Sequence, residues 1–246
     1  MTGFGFSPGG RAAKKRAAAS AVAAFDPSTL SPSFWARANA TEYDGSPWVV
    51  ENGSNLAEAT NPPAVGSTVN GFAPADFDGT NDLLKSSGDF EAYVSGSAGT
   101  VLVLFRADTA AAAAADKYDD PPLVCDDANC FNLGFSDGGI GVAYFDGAWV
   151  QPARIASATT AWTLAKVRWN GATLEYGRNS AAFSSAAAGA LAVAATFKVT
   201  LGRVAISGTA FLDGQILEVF MKASVLTNQN ITDYISYLNS RYGLSL

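Results

Sequence analysis

The stretch that decides the fold is Leu217–Gly243, LEVFMKASVLTNQNITDYISYLNSRYG. Its first residues predict the end of a strand, and its second half predicts an amphipathic helix over residues 228–242. Apolar residues recur there at i, i+3, i+4, i+7 and i+11, which is one face of a helix. These residues are Ile231, Tyr234, Ile235, Leu238 and Tyr242. Thr227 or Asn228 can cap the start of this helix, and Gly243 can cap its end.

Upstream of this helix, the chain predicts strands separated by turns. The segment Gly99–Arg106, GTVLVLFR, is almost entirely apolar, as a central sandwich strand should be. Further strands are predicted at 131–135, 141–145, 162–169, 173–178, 181–184, 197–201 and 216–221. Turns are predicted where Gly follows Asp137, Asp146, Asn170 and Asp213, because such pairs favour hairpins. The alternation predicts an all-β fold, an antiparallel two-sheet jelly-roll sandwich closed by one C-terminal α-helix.

Composition excludes several classes of function. The 246 residues include no His, which argues against a Ser–His triad and an imidazole-bound metal. The net charge of −6 makes nucleic acid an unsuitable partner for the main body. The sequence has no long, strongly apolar run, so we expect no membrane insertion. Cys125 and Cys130 predict a disulfide or two free thiols in preference to a zinc site.

Charge is distributed unevenly along the chain. Residues 1–25 contain four basic side chains and no acidic one, which leaves 12 basic and 22 acidic side chains for the rest. We predict an extended or helical basic arm over residues 1–25 and one sandwich domain over residues 26–246. The arm is either a solvated tail or an anchor that binds a partner. As an anchor it would use Phe4, Phe6, Arg11, Lys14, Lys15 and Arg16.

Aromatic and polar residues gather around the predicted turn at Asp146. Tyr144, Trp149, Asp137 and Asn132 are its neighbours in sequence. A sugar site needs an aromatic face as an apolar platform, and carboxylate or amide groups that fix the orientation of the sugar. These five residues are therefore candidate carbohydrate-binding residues. The same alternation also fits a plain hairpin whose aromatic rings belong to the core, and both interpretations are kept.

Acidic residues cluster between positions 116 and 127. Asp119, Asp120, Asp126 and Asp127 could together hold Ca²⁺, a hard cation that takes oxygen ligands. The spacing is irregular and two prolines interrupt the run, so a charged, exposed loop is the favoured interpretation. Calcium is the one cofactor that the sequence suggests.

Several segments resemble, in order, the laminin-G-like branch of the concanavalin A-like lectin/glucanase fold, of the kind found in phage structural proteins. They are FDGTNDLL at 77–84, GTVLVLFR at 99–106, WTLAKVRWNGATLEYGRN at 162–179, LGR at 201–203, FLDGQILEVF at 211–220 and YLNSRYGL at 237–244. The resemblance covers residues 26–244 and implies that 77–84 form a hairpin.

Glucanases of this fold carry two Glu flanking an Asp at alternating positions. This chain has no Glu-x-Asp-x-Glu sequence, so we expect no enzymatic activity.

The resemblance and the arm lead to two functional hypotheses. The first is a non-enzymatic virion structural protein, a head decoration or head-fibre protein on the virion surface. Residues 1–25 would bind the major capsid protein or another virion protein, and the protein would be a homo-oligomer or present in many copies. The alternative is a carbohydrate-binding lectin or adhesin module of a tail fibre or a secreted bacterial protein, with a cell-surface glycan as its partner.

Overall fold

A computed structural model describes most of the sandwich domain. The described residues are 25–38, 43, 47–58, 60–108, 122–128, 130–136, 139–152, 154–157, 160–193, 196–203 and 210–246. The predicted anchor residues lie outside the described residues; they are Phe4, Phe6, Arg11, Lys14, Lys15 and Arg16.

The described strands form two antiparallel sheets. The strands of sheet 1 are β1 (Phe34–Arg37), β3 (Ala64–Val65), β4 (Ala75–Asp78), β6 (Gly99–Ala107), β12 (Thr163–Trp169), β13 (Thr173–Arg178), β14 (Ser184–Ala187) and β16 (Asp213–Lys222). Those of sheet 2 are β2 (Leu56–Ala57), β5 (Leu84–Asp89), β7 (Pro122–Asp126), β8 (Phe131–Ser136), β9 (Gly139–Phe145), β10 (Trp149–Val150), β11 (Ala156–Ser157) and β15 (Lys198–Leu201). Sheet 1 has the order β14-β13-β12-β6-β16-β4-β3, with β1 also on β16, and sheet 2 has the order β10-β9-β8-β7-β15-β5-β2, with β11 on β9. The predicted two-sheet antiparallel sandwich is confirmed.

Two apolar layers hold the fold together, and the central strand β6 contributes to both. Val103 and Phe105 belong to the core between the sheets, whereas Leu102 and Leu104 belong to a second cluster beneath the C-terminal helix. Both faces of β6 are therefore buried, which explains its uninterrupted apolar sequence. Across the main core, Phe105 of sheet 1 meets Phe135 of sheet 2 edge to face, with ring centroids 5.5 Å apart.

The C-terminal helix α2 (Asn228–Tyr242) agrees with the sequence prediction. The Thr227 hydroxyl accepts a hydrogen bond from the Asn230 amide at 3.1 Å, and the Asn230 side chain accepts one from the Thr227 amide at 3.1 Å. This reciprocal cap satisfies amides that the first helical turn leaves open. Gly243 ends the helix in the left-handed region, with φ 66°. The five predicted apolar residues are the buried face.

A buried carboxylate fixes the helix to sheet 1. Glu218 of β16 is 1% exposed and accepts hydrogen bonds from Trp35 Nε1, Tyr234 Oη and Tyr242 Oη, each at 2.7 Å. Burial raises the pKa of Glu218 above its usual value, although the three donors act in the opposite direction. The three donors come from β1 and from two turns of α2, so one side chain sets the position of both elements.

The segment from Phe77 to Leu84 is not the expected hairpin. Its first half is β4, which pairs with β16 in sheet 1, and its second half begins β5, which pairs with β15 in sheet 2. The chain crosses between the sheets here, and an Asp82 carboxylate oxygen accepts the Asp78 amide proton at 2.8 Å within the crossing. Phe77 and Leu84 point inward, with 1% and 0% exposure, whereas Leu83 between the two strands is half-buried.

Two other sequence predictions are corrected near β16 and β14. Asp213 and Gly214 begin β16 rather than forming a turn. A Cβ at Gly214 would lie 2.4 Å from the Arg106 carbonyl oxygen. Glycine is therefore needed at this position because β6 approaches too closely for a side chain. The strand expected at 181–184 instead begins at Ser184. The hairpins at Asn170 and Asp146 are confirmed as β12–β13 and β9–β10.

Cys125 and Cys130 are thiols that form no disulfide with each other, and they lie on either side of a turn at the end of β7. Cys125 is buried, and burial, followed by the charge of Asp126, raises the pKa of Cys130 to about 11. The thiol alternative of the sequence prediction is thus the one found.

Within the part of the chain that the structure describes, no helix combines the length and the apolar character needed to span a membrane.

Candidate functional site

An open groove of about 980 Å³ runs along one flank of α2. We call it the helix groove. It is bounded by β1, by a 3-10 helix at Pro27–Leu30, by Glu51 and Phe72 from two loops, and by the C-terminal half of α2. Its lining residues are Phe25, Asp26, Pro27, Ser28, Trp35, Arg37, Glu51, Phe72, Ser236, Tyr237, Ser240 and Arg241.

Strand β1 supplies the floor of the helix groove. Trp35 and Arg37 alternate with the core residues Phe34 and Ala36, so they point to the helix side of sheet 1. The guanidinium carbon of Arg37 lies 4.5 Å from the centre of the Trp35 ring. Glu51 Oε1 accepts a hydrogen bond from Arg37 Nε at 2.9 Å. Trp35 is held by Glu218 beneath it, so Arg37 rests on a fixed surface.

The helix supplies the opposite wall and its hydroxyl groups. Ser236, Tyr237, Ser240 and Arg241 lie at i, i+1, i+4 and i+5, along one flank of α2. Ser236 and Ser240 are exposed, and Tyr237 is half-buried. Burial, and then the charge of Glu218, raises the pKa of Tyr237. The Tyr237 hydroxyl therefore stays neutral and keeps its donor in the physiological range.

The far end of the helix groove is closed by Phe72. The guanidinium carbon of Arg241 lies 4.0 Å from the Phe72 ring centre, and the ring meets Tyr242 edge to face with centroids 5.3 Å apart. The neighbouring Asn70 donates from Nδ2 to the Arg241 carbonyl oxygen at 2.7 Å. This bond ties the loop that carries Phe72 to the end of the helix.

The helix groove combines partly exposed aromatic rings with a polar rim. Phe25, Phe72 and Tyr237 are each half-buried and present part of a ring, whereas Asp26 and Ser28 are exposed. Its two acidic and two basic side chains balance each other in formal charge. Such a surface suits a neutral or weakly charged polyhydroxylated ligand, because rings stack on aromatic faces and hydroxyl groups pair with the rim.

Among the described residues, the sequence-predicted sugar residues do not all come to one surface. Asn132 pairs with Ala143, and Tyr144 pairs with Phe131, so Asn132 and Tyr144 lie on opposite faces of sheet 2. Tyr144 is 0% exposed, and its hydroxyl donates to the Gly189 carbonyl oxygen at 3.1 Å. Its ring is part of the core and is not available to stack on a sugar, as the alternative interpretation of the hairpin required.

The other predicted sugar residues differ in position. Asp146 accepts hydrogen bonds from the amides of Ala148, at 3.3 Å, and Gly189, so its carboxylate holds a turn. Trp149 is half-buried and its ring centre lies 5.4 Å from that of Phe145. Asn132 is 3% exposed, and its Oδ1 has no hydrogen-bond partner among the described residues. Asp137 lies outside the described residues.

Of the four predicted calcium residues, the structure describes Asp126 and Asp127. Asp119 and Asp120 lie outside the described residues. Asp126 is fully buried at the end of β7, where its Oδ1 accepts the Cys130 amide at 2.7 Å, and burial raises its pKa to about 7. Asp127 accepts the Lys198 amide at 2.7 Å and forms an ion pair with Lys85.

The expectation of an exposed loop is therefore wrong for Asp126, because the segment around it is the end of a strand. Across the described residues, no group of three or more Asp, Glu, Cys or His side chains is arranged to hold a metal ion.

Sequence reasoning did not find the helix groove. Trp35 is mainly a packing residue, with 2% exposure. Tyr237 and Arg241 occurred in the predicted helix, but off its apolar face. One signal was present: the flank of α2 next to the apolar face carries a tyrosine and an arginine, each directly after a serine and four residues apart. The loop residues that meet it are distant in sequence.

No family model matches the sequence, and no curated protein matches it. Solved structures do match in fold. One is botulinum neurotoxin type C, whose cell entry depends on interaction with two ganglioside molecules, with a TM-score of 0.60 and 8% identity over 84% of this chain and 51% of that chain. Another is the binding domain of botulinum neurotoxin DC in complex with SialylT, with a TM-score of 0.60 and 8% identity over 84% and 52%.

A third structure is Trypanosoma rangeli sialidase in complex with sialic acid, with a TM-score of 0.59 and 10% identity over 84% of this chain and 33% of that chain. This chain thus spans about half the length of the toxin chains and a third of the sialidase chain. At such identities the similarity establishes the two-sheet sandwich fold and no more.

Proposed function

We propose that this protein is a non-enzymatic, carbohydrate-binding display module, and that the helix groove is its glycan site. The observation that carries the proposal is the composition of the groove. Partly exposed rings of Phe72 and Tyr237 lie beside the exposed hydroxyl groups of Ser236 and Ser240. A sugar ring offers an apolar face for the aromatic rings and hydroxyl groups for the rim.

Two further points support the proposal. The volume of about 980 Å³ is at the upper end of the ~300–1,000 Å³ usual for small-ligand sites, so the groove has room for more than one sugar unit. Proteins of the same fold are described as interacting with gangliosides and with sialic acid. Fold similarity alone does not assign a site, so the assignment rests on the groove.

A glycan array with a matched pair of variants tests this site. Ser240→Trp places a large ring in the helix groove from an exposed position, and Gln229→Trp places the same ring on an exposed position of α2 outside the groove. We expect wild type and Gln229→Trp to bind the same glycans, and Ser240→Trp to lose at least tenfold in affinity. Equal binding by the two variants would place any glycan site elsewhere.

The second part of the proposal is where the module is displayed. We propose that residues 1–25 attach it to a virion surface, in several copies, with the sandwich facing outward; a secreted module is the alternative. The support is the charge asymmetry, since all four charged residues of this segment are basic while the rest of the chain is strongly acidic. A basic segment is attracted to an acidic surface, to which the acidic domain that follows it is not attracted.

Co-sedimentation with bare phage capsids tests the attachment. The full-length protein is compared with a full-length variant in which Arg11, Lys14, Lys15 and Arg16 are all changed to Glu. We expect wild type to sediment with the capsids and the variant to stay in solution, whereas both should retain the same glycan binding. Equal sedimentation of the two proteins, or sedimentation of neither, would reject residues 1–25 as a virion anchor.

A further inference from the structure

A second cavity lies on the opposite flank of α2 from the helix groove. It has a volume of about 570 Å³, within the ~300–1,000 Å³ typical of small-ligand sites. We call it the hairpin cavity, because one wall is formed by β12, β13 and the segment at 180–183, and the other by the first half of α2. Its most prominent side chains are Lys166, Arg168 and Phe183.

The positive charge of Arg168 is balanced within the protein by Glu175. Its Nε lies 2.7 Å from Glu175 Oε2, and its Nη2 donates to Glu175 Oε1 at 3.1 Å. Its Nη1 donates to the Leu226 carbonyl oxygen, at 2.6 Å, just ahead of α2. Arg168 and Glu175 thus form a neutral, bidentate pair that also fixes the start of the helix.

The charge of Lys166 is not balanced in the same way. Lys166 is 3% exposed. Its Nζ donates to the Ala181 carbonyl oxygen at 2.6 Å and lies 4.5 Å from the centre of the Phe183 ring. Among the residues that the structure describes, no carboxylate forms an ion pair with it. The Lys166 ammonium group therefore borders the hairpin cavity. It has three N–H donors and gives one to the Ala181 carbonyl oxygen.

The helix side of the hairpin cavity brings no compensating charge. The residues of α2 that line it are Asn228, Ile231, Thr232, Ile235 and Ser236. Its side-chain charges are thus those of Lys166, Arg168 and Glu175, with a formal sum of +1. Burial, followed by the charge of Arg168, lowers the pKa of Lys166. A buried charge without a partner is costly, and an anion that enters the cavity removes that cost.

We propose that the hairpin cavity binds a small monoanionic oxyanion group, a carboxylate or a sulfate monoester, with Lys166 Nζ as its charge partner. Phe183 restricts the position of the ammonium group, and the polar side chains of Asn228 and Thr232 lie at the exposed rim. The formal charge of +1 favours a monoanion over a dianion. This site shares Ser236 of α2 with the helix groove but does not depend on the function proposed for the groove.

Thermal unfolding of the full-length protein with two probes, sodium acetate and sodium methyl sulfate, tests the proposal against sodium chloride at equal ionic strength. In wild type, at least one probe should raise Tm with the logarithm of its concentration above its dissociation constant, by about 2–4 °C at a few times that constant. Acetate alone would identify a carboxylate site, methyl sulfate alone a sulfate-ester site, and both a general monoanion site.

Two lysine variants complete the test. Lys166→Met keeps most of the side-chain volume and removes the charge, so we expect it to fold with a Tm in chloride at least equal to that of wild type. Its Tm should not respond to either probe. Lys85→Met, at a half-exposed lysine of sheet 2 that pairs with Asp127, should respond as wild type does. The proposal is overturned if neither probe raises the Tm of wild type above its value in chloride, or if Lys166→Met responds equally.

Discussion

Replacement of Glu218 should separate the helix from sheet 1 more effectively than any other single polar change. Glu218→Ala leaves three buried donors, on Trp35, Tyr234 and Tyr242, without their acceptor. An unsatisfied buried donor costs about 1–3 kcal/mol, so the three donors together should cost roughly 3–9 kcal/mol. For a chain of this length, that corresponds to a decrease in Tm of about 6–36 °C.

Glu218→Gln should be milder. Its amide oxygen can still accept from Trp35 and Tyr234, while its amide nitrogen replaces Oε2 and donates to the Tyr242 oxygen. The Tyr242 hydroxyl proton and the second amide proton of the glutamine then lack acceptors, so two buried donors are unsatisfied in place of three, at about 1–3 kcal/mol each. Glu91→Gln is the matched control, because Glu91 is exposed and exposed substitutions change stability by less than about 0.5 kcal/mol.

The stability difference between wild type and Glu218→Gln should depend on pH with a definite sign. Since burial raises the pKa of Glu218 in the folded state above 4.5, the folded protein binds more protons than the unfolded chain in the window above that value. The free energy of unfolding contributed by this group is therefore present below pH 4.5 and decreases as pH rises through the raised pKa. The stability advantage of wild type over Glu218→Gln should shrink as pH rises.

Urea unfolding, followed by far-UV circular dichroism from about pH 4 to about pH 8, measures these differences. The reasoning about Glu218 fails if Glu218→Ala unfolds at the same urea concentration as Glu91→Gln. It also fails if the advantage of wild type over Glu218→Gln grows with pH, because that would mean a lowered pKa.

Three other sites give independent tests. Gly214→Ala should cost about 1–3 kcal/mol, since its Cβ would meet the Arg106 carbonyl oxygen at 2.4 Å; an unchanged Tm would contradict this contact. Wild type should lose stability relative to Asp126→Asn between pH 4 and pH 7, because burial raises the pKa of Asp126 from 3.8 to about 7; urea unfolding at both ends of that range measures the change. Cys125, which is buried, and Cys130, whose pKa is about 11, should react with iodoacetamide at pH 8 only after unfolding; fast labelling of folded protein would contradict this.

The helix and the central strands could be predicted because their signals are local. In α2 the cap, the apolar face and the terminal glycine lie within a few turns of each other. In β12 and β13 the Asn170 turn sets the register of the strands on either side. At Asp213 and Gly214 the same kind of local signal misled, because the glycine is needed by a neighbouring strand that is about one hundred residues away.

The candidate site could not be predicted, because it is assembled from distant parts of the chain. Phe72 reaches the helix through the bond between Asn70 and Arg241, a contact that no local pattern announces. The prediction for Tyr144 and Asn132 depended on closeness in sequence. A strand places successive side chains on opposite faces, so residues that are close along paired strands can still face opposite ways.

The two cavities follow from one mismatch of dimensions. Seven strands of sheet 1 lie side by side. At a spacing of ~4.8 Å between neighbouring strands, they make a surface on the order of 30 Å wide. A helix is only ~10–12 Å across. Helix α2 therefore covers the middle of the sheet, and both flanks must be lined by loops and strand ends. Since Glu218 anchors the helix from beneath, exposed side chains on the flanks, such as Ser240 and Thr232, can change without loosening it. The two proposed ligand sites, the helix groove and the hairpin cavity, can thus vary at these positions while the stability of the fold is kept by the buried contacts between them.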